Sequence, residues 1–150
     1  MPQSLACLLV HVVFSTKNRT PAITPTIEEE LHAYMGGVLR NHDSPCLAIN
    51  GTANHVHLLV LQAKTAALSV LIREVKRSSS KWIKTKGPEF QRFDWQDGYG
   101  AFTIGQSGVA ALKAYIANQK EKHKTRTFEA EFVGFLKRYG VPYNQKYLWD

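Results

Sequence analysis

Apolar and polar positions follow two rhythms along this chain, one suited to strands and one to helices. Residues 5–14, LACLLVHVVF, are rich in Leu and Val and read as a first strand, closed by a basic turn around Lys17 and Arg19. The period then lengthens. Ile27, Leu31, Tyr34 and Val38 recur on one helical face. Thr24 stands where a cap belongs, Pro25 suits the first helical position, and Glu28, Glu29 and Glu30 favour the positive end of that helix. Asp43-Ser44-Pro45 closes the region. Residues 46–52 predict a short strand, 51–54 a turn, and 55–62, HVHLLVLQ, a strand apolar enough beyond its histidines to lie centrally in a sheet.

The second half repeats the alternation. Thr65 can cap a helix reaching about Ile83, with Leu68, Leu71, Ile72, Val75 and Trp82 on one side. Gly87-Pro88 breaks the chain, and residues 100–104 predict a strand after an aromatic loop. Ser107 can cap a helix carrying Val109, Leu112 and Ile116. A last helix runs from Phe128 to about Tyr139 with Phe132, Phe135 and Leu136 inward, and Gly140 then Pro142 stop it. The tail YNQKYLWD is aromatic enough to pack on the domain or on a second subunit. Strand-helix-strand-strand-helix-strand is the order of an α+β, ferredoxin-like (RRM-like) sandwich: an antiparallel sheet of four to five strands, with the C-terminal helices added. One sheet face is then left for a ligand, a partner or those added helices. No linker or repeat divides residues 1–150, so one catalytic domain is expected.

Charge sharpens this picture. The chain of 150 residues carries a formal +7, placed unevenly. Residues 1–44 hold three Lys/Arg against four acids, residues 64–92 eight against two, and residues 113–126 five against one. Arg73, Arg77, Lys81 and Lys84 share the polar side of the 65–83 helix, where they can track a nucleic-acid backbone; Lys17 and Arg19 are a second candidate contact. Trp95, Tyr99 and Phe102 can stack bases or serve the core. No run of about 18 apolar residues occurs, so no membrane span is expected. Cys7 and Cys46 form no CxxC pair and read as buried small hydrophobes in a reducing compartment.

Three features carry chemistry. His55 and His57 sit two apart on a strand, so both rings leave one face, about 6–7 Å apart, near enough to grip one metal ion. Imidazole suits first-row transition ions, and magnesium is compatible where oxygen ligands complete the shell. Tyr115, Gln119 and His123 recur every four residues on one helix. The Gln119 amide oxygen can join the histidines around a cation, and Tyr115 stands one turn away as a nucleophile. An ordinary reading stays open beside this one: a core aromatic, a surface glutamine and a histidine of the basic face.

Together, His55-Val56-His57, Tyr115 and Gln119 resemble the small single-tyrosine HUH transposases of bacterial insertion sequences, including the related transposases associated with repetitive palindromes. The resemblance runs in order through HVVFSTKNR (11–19), NHVHLLV (54–60), LSVLIREVKRSSSKWI (68–83), WQDGYGAFTI (95–104), YIANQKEKH (115–123) and TFEAEF (127–132). It implies magnesium or manganese on His55, His57 and Gln119, with no nucleotide cofactor, and Tyr115 as nucleophile. The implied substrate is single-stranded DNA marked by hairpins, left with a 5′-phosphotyrosyl bond and a free 3′-OH. The implied assembly is a homodimer with sites shared between subunits, in the cytoplasm of a bacterium or archaeon and on the nucleoid when bound to DNA. Two positions depart from the family pattern. Asn54 replaces a frequent Asp, and Lys122-His123 replaces a frequent histidine pair; Asn54 and His123 are therefore auxiliary candidates. Histidine-triad hydrolases and two-histidine phosphoesterases fit poorly, because Leu59 stands where each needs a further polar residue. A non-catalytic hairpin-binding dimer acting as a regulator is the alternative function.

Overall fold

The computed structural model describes residues 2–150. Strands β1 (Leu8–Ser15), β2 (Cys46–Thr52), β3 (His55–Gln62) and β4 (Gly100–Thr103) form one antiparallel sheet in the order β2-β3-β1-β4. That is the expected ferredoxin-like arrangement, with four strands. β3 is central, as its apolar run requires. The connecting helices are α1 (Pro25–Asn41) and α2 (Leu68–Ile83); α3 (Val109–Ala117), α4 (Gln119–Lys122) and α5 (Phe128–Arg138) follow the last strand.

Alternation along the strands divides the core in two. Val10, Val12 and Phe14 of β1 and Val56, Leu58 and Val60 of β3 point to one face, where α1 and α2 cover them with Leu31, Met35, Leu71 and Val75. Leu9, Val13 and Leu59 point to the other face. There α3 brings Leu112 and Ile116, and α5 brings Phe128, Phe132 and Leu136. The added helices thus cover the second face. His11, His55 and His57 are among the polar residues buried on that face of the sheet.

Several local expectations need correction. Thr24, Thr65 and Ser107 do not cap their helices by side chain: Thr24 bonds Thr26, and α2 and α3 begin after Ala67 and Gly108. Thr127 does cap α5, accepting from Ala130 N at 3.1 Å. The first strand starts at Leu8, leaving Cys7 exposed rather than buried. Cys46 is half-buried, and burial pushes its thiol up to about 11. Trp95 and Phe102 are core residues, while Tyr99 keeps an exposed ring. The tail folds back on its own domain: Trp149 packs near Phe128 and Phe132, and the Asp150 carbonyl accepts from Gly98 N at 3.0 Å. Among the described residues, no helix is long and apolar enough to cross a membrane.

Candidate active site

The site begins with strand geometry. His55 and His57 leave the α3/α5 face of β3, as the two-residue spacing predicts, and both are fully buried. Gly51 lets β2 approach the backbone of β3 where His55 sits. A side chain there would bring its Cβ within 2.1 Å of the His55 carbonyl oxygen, so only glycine lets β2 run this close. Each histidine is oriented from behind. Asn54 Oδ1 lies 2.9 Å from His55 Nδ1, with Thr52 Oγ1 at 3.0 Å from the same nitrogen. His11 Nε2 lies 2.8 Å from His57 Nδ1. Held at Nδ1 by Asn54, the His55 ring turns Nε2 to the interior, the orientation a metal ligand requires. Burial, and then the neighbouring His57, push His11 and His55 down to about 3. Both rings are therefore neutral near pH 7.

The second half comes from α3 and α4. The helix that carries Tyr115 breaks at Asn118, and Gln119 opens a new turn. Asn50 of β2 stabilises the break by donating to the carbonyls of Ile116 and Ala117 at 3.0 and 3.2 Å. Gln119 is then fully buried with its Oε1 at 3.0 Å from His55 Nε2. Tyr115, Gln119 and His123 thus converge despite the interruption.

They converge on a residue that periodicity alone did not single out. Glu131 of α5 is 1% exposed. Its Oε1 lies 2.9 Å from His57 Nε2, 3.0 Å from His123 Nε2 and 3.6 Å from His55 Nε2. Its Oε2 accepts from Gln119 Nε2 at 3.1 Å and from the Tyr115 hydroxyl. Burial works to raise the carboxyl, but hydrogen bonds from His123, His57 and Tyr115 hold it well below the usual carboxylate range. Burial and the Glu131 carboxylate together push the Tyr115 phenol well above its ordinary value, against smaller opposing pulls from Gln119 and Arg126. In this arrangement the phenol keeps its proton. The signal for Glu131 was present: it lies between Phe128, Phe132 and Phe135 on the inward face of an amphipathic helix, where a lone carboxylate needs partners.

One donor atom from each of His55, His57, His123 and Glu131 lies within 4.8 Å of the others. Imidazole nitrogens with a carboxylate oxygen form a set a divalent cation fits, and the carboxylate offsets charge that burial otherwise makes costly. The cluster is not closed to solvent. Tyr115 is half-buried, and the edge of His123 reaches a surface pocket of about 550 Å³ lined by Asn54, Lys120, Lys124, Arg126 and Thr127.

The other sequence candidates lie elsewhere. Arg73, Arg77, Lys81 and Lys84 line a groove of about 580 Å³ between α2 and the 94–99 loop. α2 covers the opposite sheet face from His55 and His57, so these cations do not enter the cluster. Lys76 holds that loop by donating to the carbonyls of Gln96, Asp97 and Gly98. Lys17 sits 3.9 Å from Asp94, and the Arg19 guanidinium lies 5.1 Å from the centre of the Trp149 ring.

Comparison with known proteins gives three findings. A family profile described as "Transposase IS200 like" matches residues 4–119. The chain is similar to the crystal structure of a candidate transposase from Deinococcus radiodurans R1, at 19% identity and a TM-score of 0.62, covering 79% of this chain and 98% of that one. It is also similar to a REP-associated tyrosine transposase bound to a REP hairpin, at 17% identity and a TM-score of 0.60, covering 82% of this chain and 72% of that one. Identities this low bear on the fold alone. No curated protein matches the chain.

Proposed function

The chain belongs to the IS200-like transposases, the single-tyrosine HUH family, and from that premise we propose that it cuts and rejoins single-stranded DNA at hairpin-marked ends through Tyr115. The observation that carries this reading is the meeting of Tyr115, Gln119, His55 and His57 at one buried carboxylate, Glu131, with Tyr115 on the solvent side. His55 and His57 are the proposed ligands of a magnesium or manganese ion, with Glu131, Gln119 and His123 as the remaining donors in reach. When bound, the ion supplies positive charge to a non-bridging oxygen of the scissile phosphate.

The protein's own groups do the rest. Glu131 Oε2 fixes the phenol by its hydrogen bond. Tyr115 Oη gives its proton to Glu131 Oε2 as it attacks phosphorus in line, and the bond to the 3′ oxygen breaks, that oxygen taking up the proton. The strand's 5′ end stays on Tyr115 as a phosphotyrosine and a 3′-OH is freed. Attack on that phosphotyrosine by another 3′-OH joins the strands and returns the phenol. The phosphodiester's free energy is kept in the covalent bond, so no nucleotide cofactor is needed. The α2 groove, with Arg73, Arg77, Lys81 and Lys84, is the proposed track for the hairpin backbone, where phosphate contacts set register without reading sequence. The homodimer implied by the resemblance remains part of this proposal.

The test is a covalent adduct. Labelled single strands bearing varied hairpins are incubated with the protein and Mn2+, then denatured. An adduct is expected with the native chain and none with Tyr115→Phe, which should still bind DNA. Tight hairpin binding with no adduct from the native chain favours the regulator instead.

A further inference from the structure

The inner side of Tyr115 is already occupied by an anion, because its hydroxyl donates to the buried Glu131 carboxylate. A like charge repels the phosphate that this phenol must attack. An ion on the histidine cluster would offset that charge from within, and on the outer, solvent side the strand meets only the chain's own cations. The 120–126 segment is basic, but its cations are not equivalent. Lys120 is paired with Glu28, and Lys124 with Glu121 at 2.8 Å. Lys122 and Arg126 are exposed and form no ion pair among the described residues.

Lys122 lies next to the tyrosine, and Arg126 lines the surface pocket that the edge of His123 reaches. Lys122 Nζ is 5.2 Å from the centre of the Tyr115 ring. Arg126 folds along α5 and donates from Nη2 to the Ala130 carbonyl at 3.2 Å. It fits there because residue 134 is glycine: a Cβ on Gly134 would stand 2.4 Å from Arg126 Nη2. Glycine is unfavourable inside a helix, and here its missing side chain gives the guanidinium its place. Neither cation belongs to the metal cluster, and both lie beyond the residues matched by the family profile.

We propose that Lys122 and Arg126 seat the scissile phosphate of a single strand against Tyr115, Arg126 as a planar fork and Lys122 as a point charge. The inference rests on the reading of Tyr115 as the attacking group. It assigns the strand's reacting phosphate to the turn between α4 and α5 rather than to the α2 groove. Two donors of different shape also give the seat a direction, since a guanidinium grips two phosphate oxygens in one plane and an ammonium grips one.

The test uses full-length protein carrying Tyr115→Phe, a fluorescein-labelled 20-nucleotide oligothymidylate, and anisotropy titrations over a range of salt. Each phosphate contact to a single strand contributes about 0.7 to the slope of log affinity against log salt. Lys122→Gln with Arg126→Gln should reduce the slope by about 1.4, twice that increment. Arg126→Gln alone should account for about 0.7 of that reduction. Arg126→Lys should restore only part of it. Mn2+ affinity by calorimetry should not change in any of them, which separates a phosphate seat from general damage to the cluster. An unchanged slope in the double variant overturns the proposal, whatever the activity. A reduced slope with no Tyr115 adduct from the native chain leaves the strand seat standing and removes the strand-transfer chemistry.

Discussion

At the residue scale, Glu131 explains why so polar a cluster can be buried at all. Two imidazoles, an amide and a phenol would leave donors unmatched under α5, and unmatched buried donors each cost about 1–3 kcal/mol. One carboxylate accepts from four of these side chains. Glu131→Gln keeps the shape and removes the anion. It should lower Mn2+ affinity by about ten- to hundredfold, as loss of a metal site's supporting partners does, with the helical content unchanged by circular dichroism. Wild-type affinity in that variant would remove Glu131 from the metal site. The histidines predict a pH effect. In the unfolded chain His11 and His55 take up protons near pH 6.5; in the folded chain burial delays this to about 3. The unfolded state therefore binds more protons across that interval, and stability must fall as pH drops from about 6.5 towards 3. Thermal melts of the metal-free protein should show a flat Tm above pH 7 and a steady decline below 6. A Tm that stays level from pH 7 to 4 would contradict neutral buried rings.

At the element scale, the site depends on where helices stop. α3 must end at Ala117 for Gln119 to turn inward, and Asn50 takes the carbonyls this frees. α5 must start at Phe128 for Glu131 to arrive one turn later under Tyr115, and Thr127 fixes that start. Thr127→Ala should cost about 1 kcal/mol, typical of a lost cap. In a protein of this size that is a fall in Tm of about 2–4 °C, measurable by calorimetry. Thr24 does stand at the start of α1, though its hydroxyl turns to Thr26, whereas the caps expected at Thr65 and Ser107 were misplaced for a common reason. Many serines and threonines precede apolar runs, and only the path of the chain decides which one is adjacent to the first turn.

At the scale of the whole molecule, the sheet separates two tasks. One face, under α1 and α2, is an apolar core whose outer helix presents the basic groove; the other, under α3 and α5, holds the cluster. If each subunit builds its own site, mixing Tyr115→Phe with His57→Ala protein should restore no adduct. Recovery of adduct in the mixture would mean that helices are exchanged between subunits. The sequence alone determined the strand and helix order and the same-face histidine pair, because each follows from a local period of two or 3.6 residues, and it offered Tyr115 and Gln119 as partners, although the break at Asn118 decides how they meet. It also held the pattern that marks the family. Only the tertiary structure decided that α3 and α5 close over the histidine face, that His11 stands behind His57, and that Glu131 is the centre. Those contacts join residues 46, 64 and 74 positions apart in the chain, and no local period encodes which buried donor meets which acceptor across such distances.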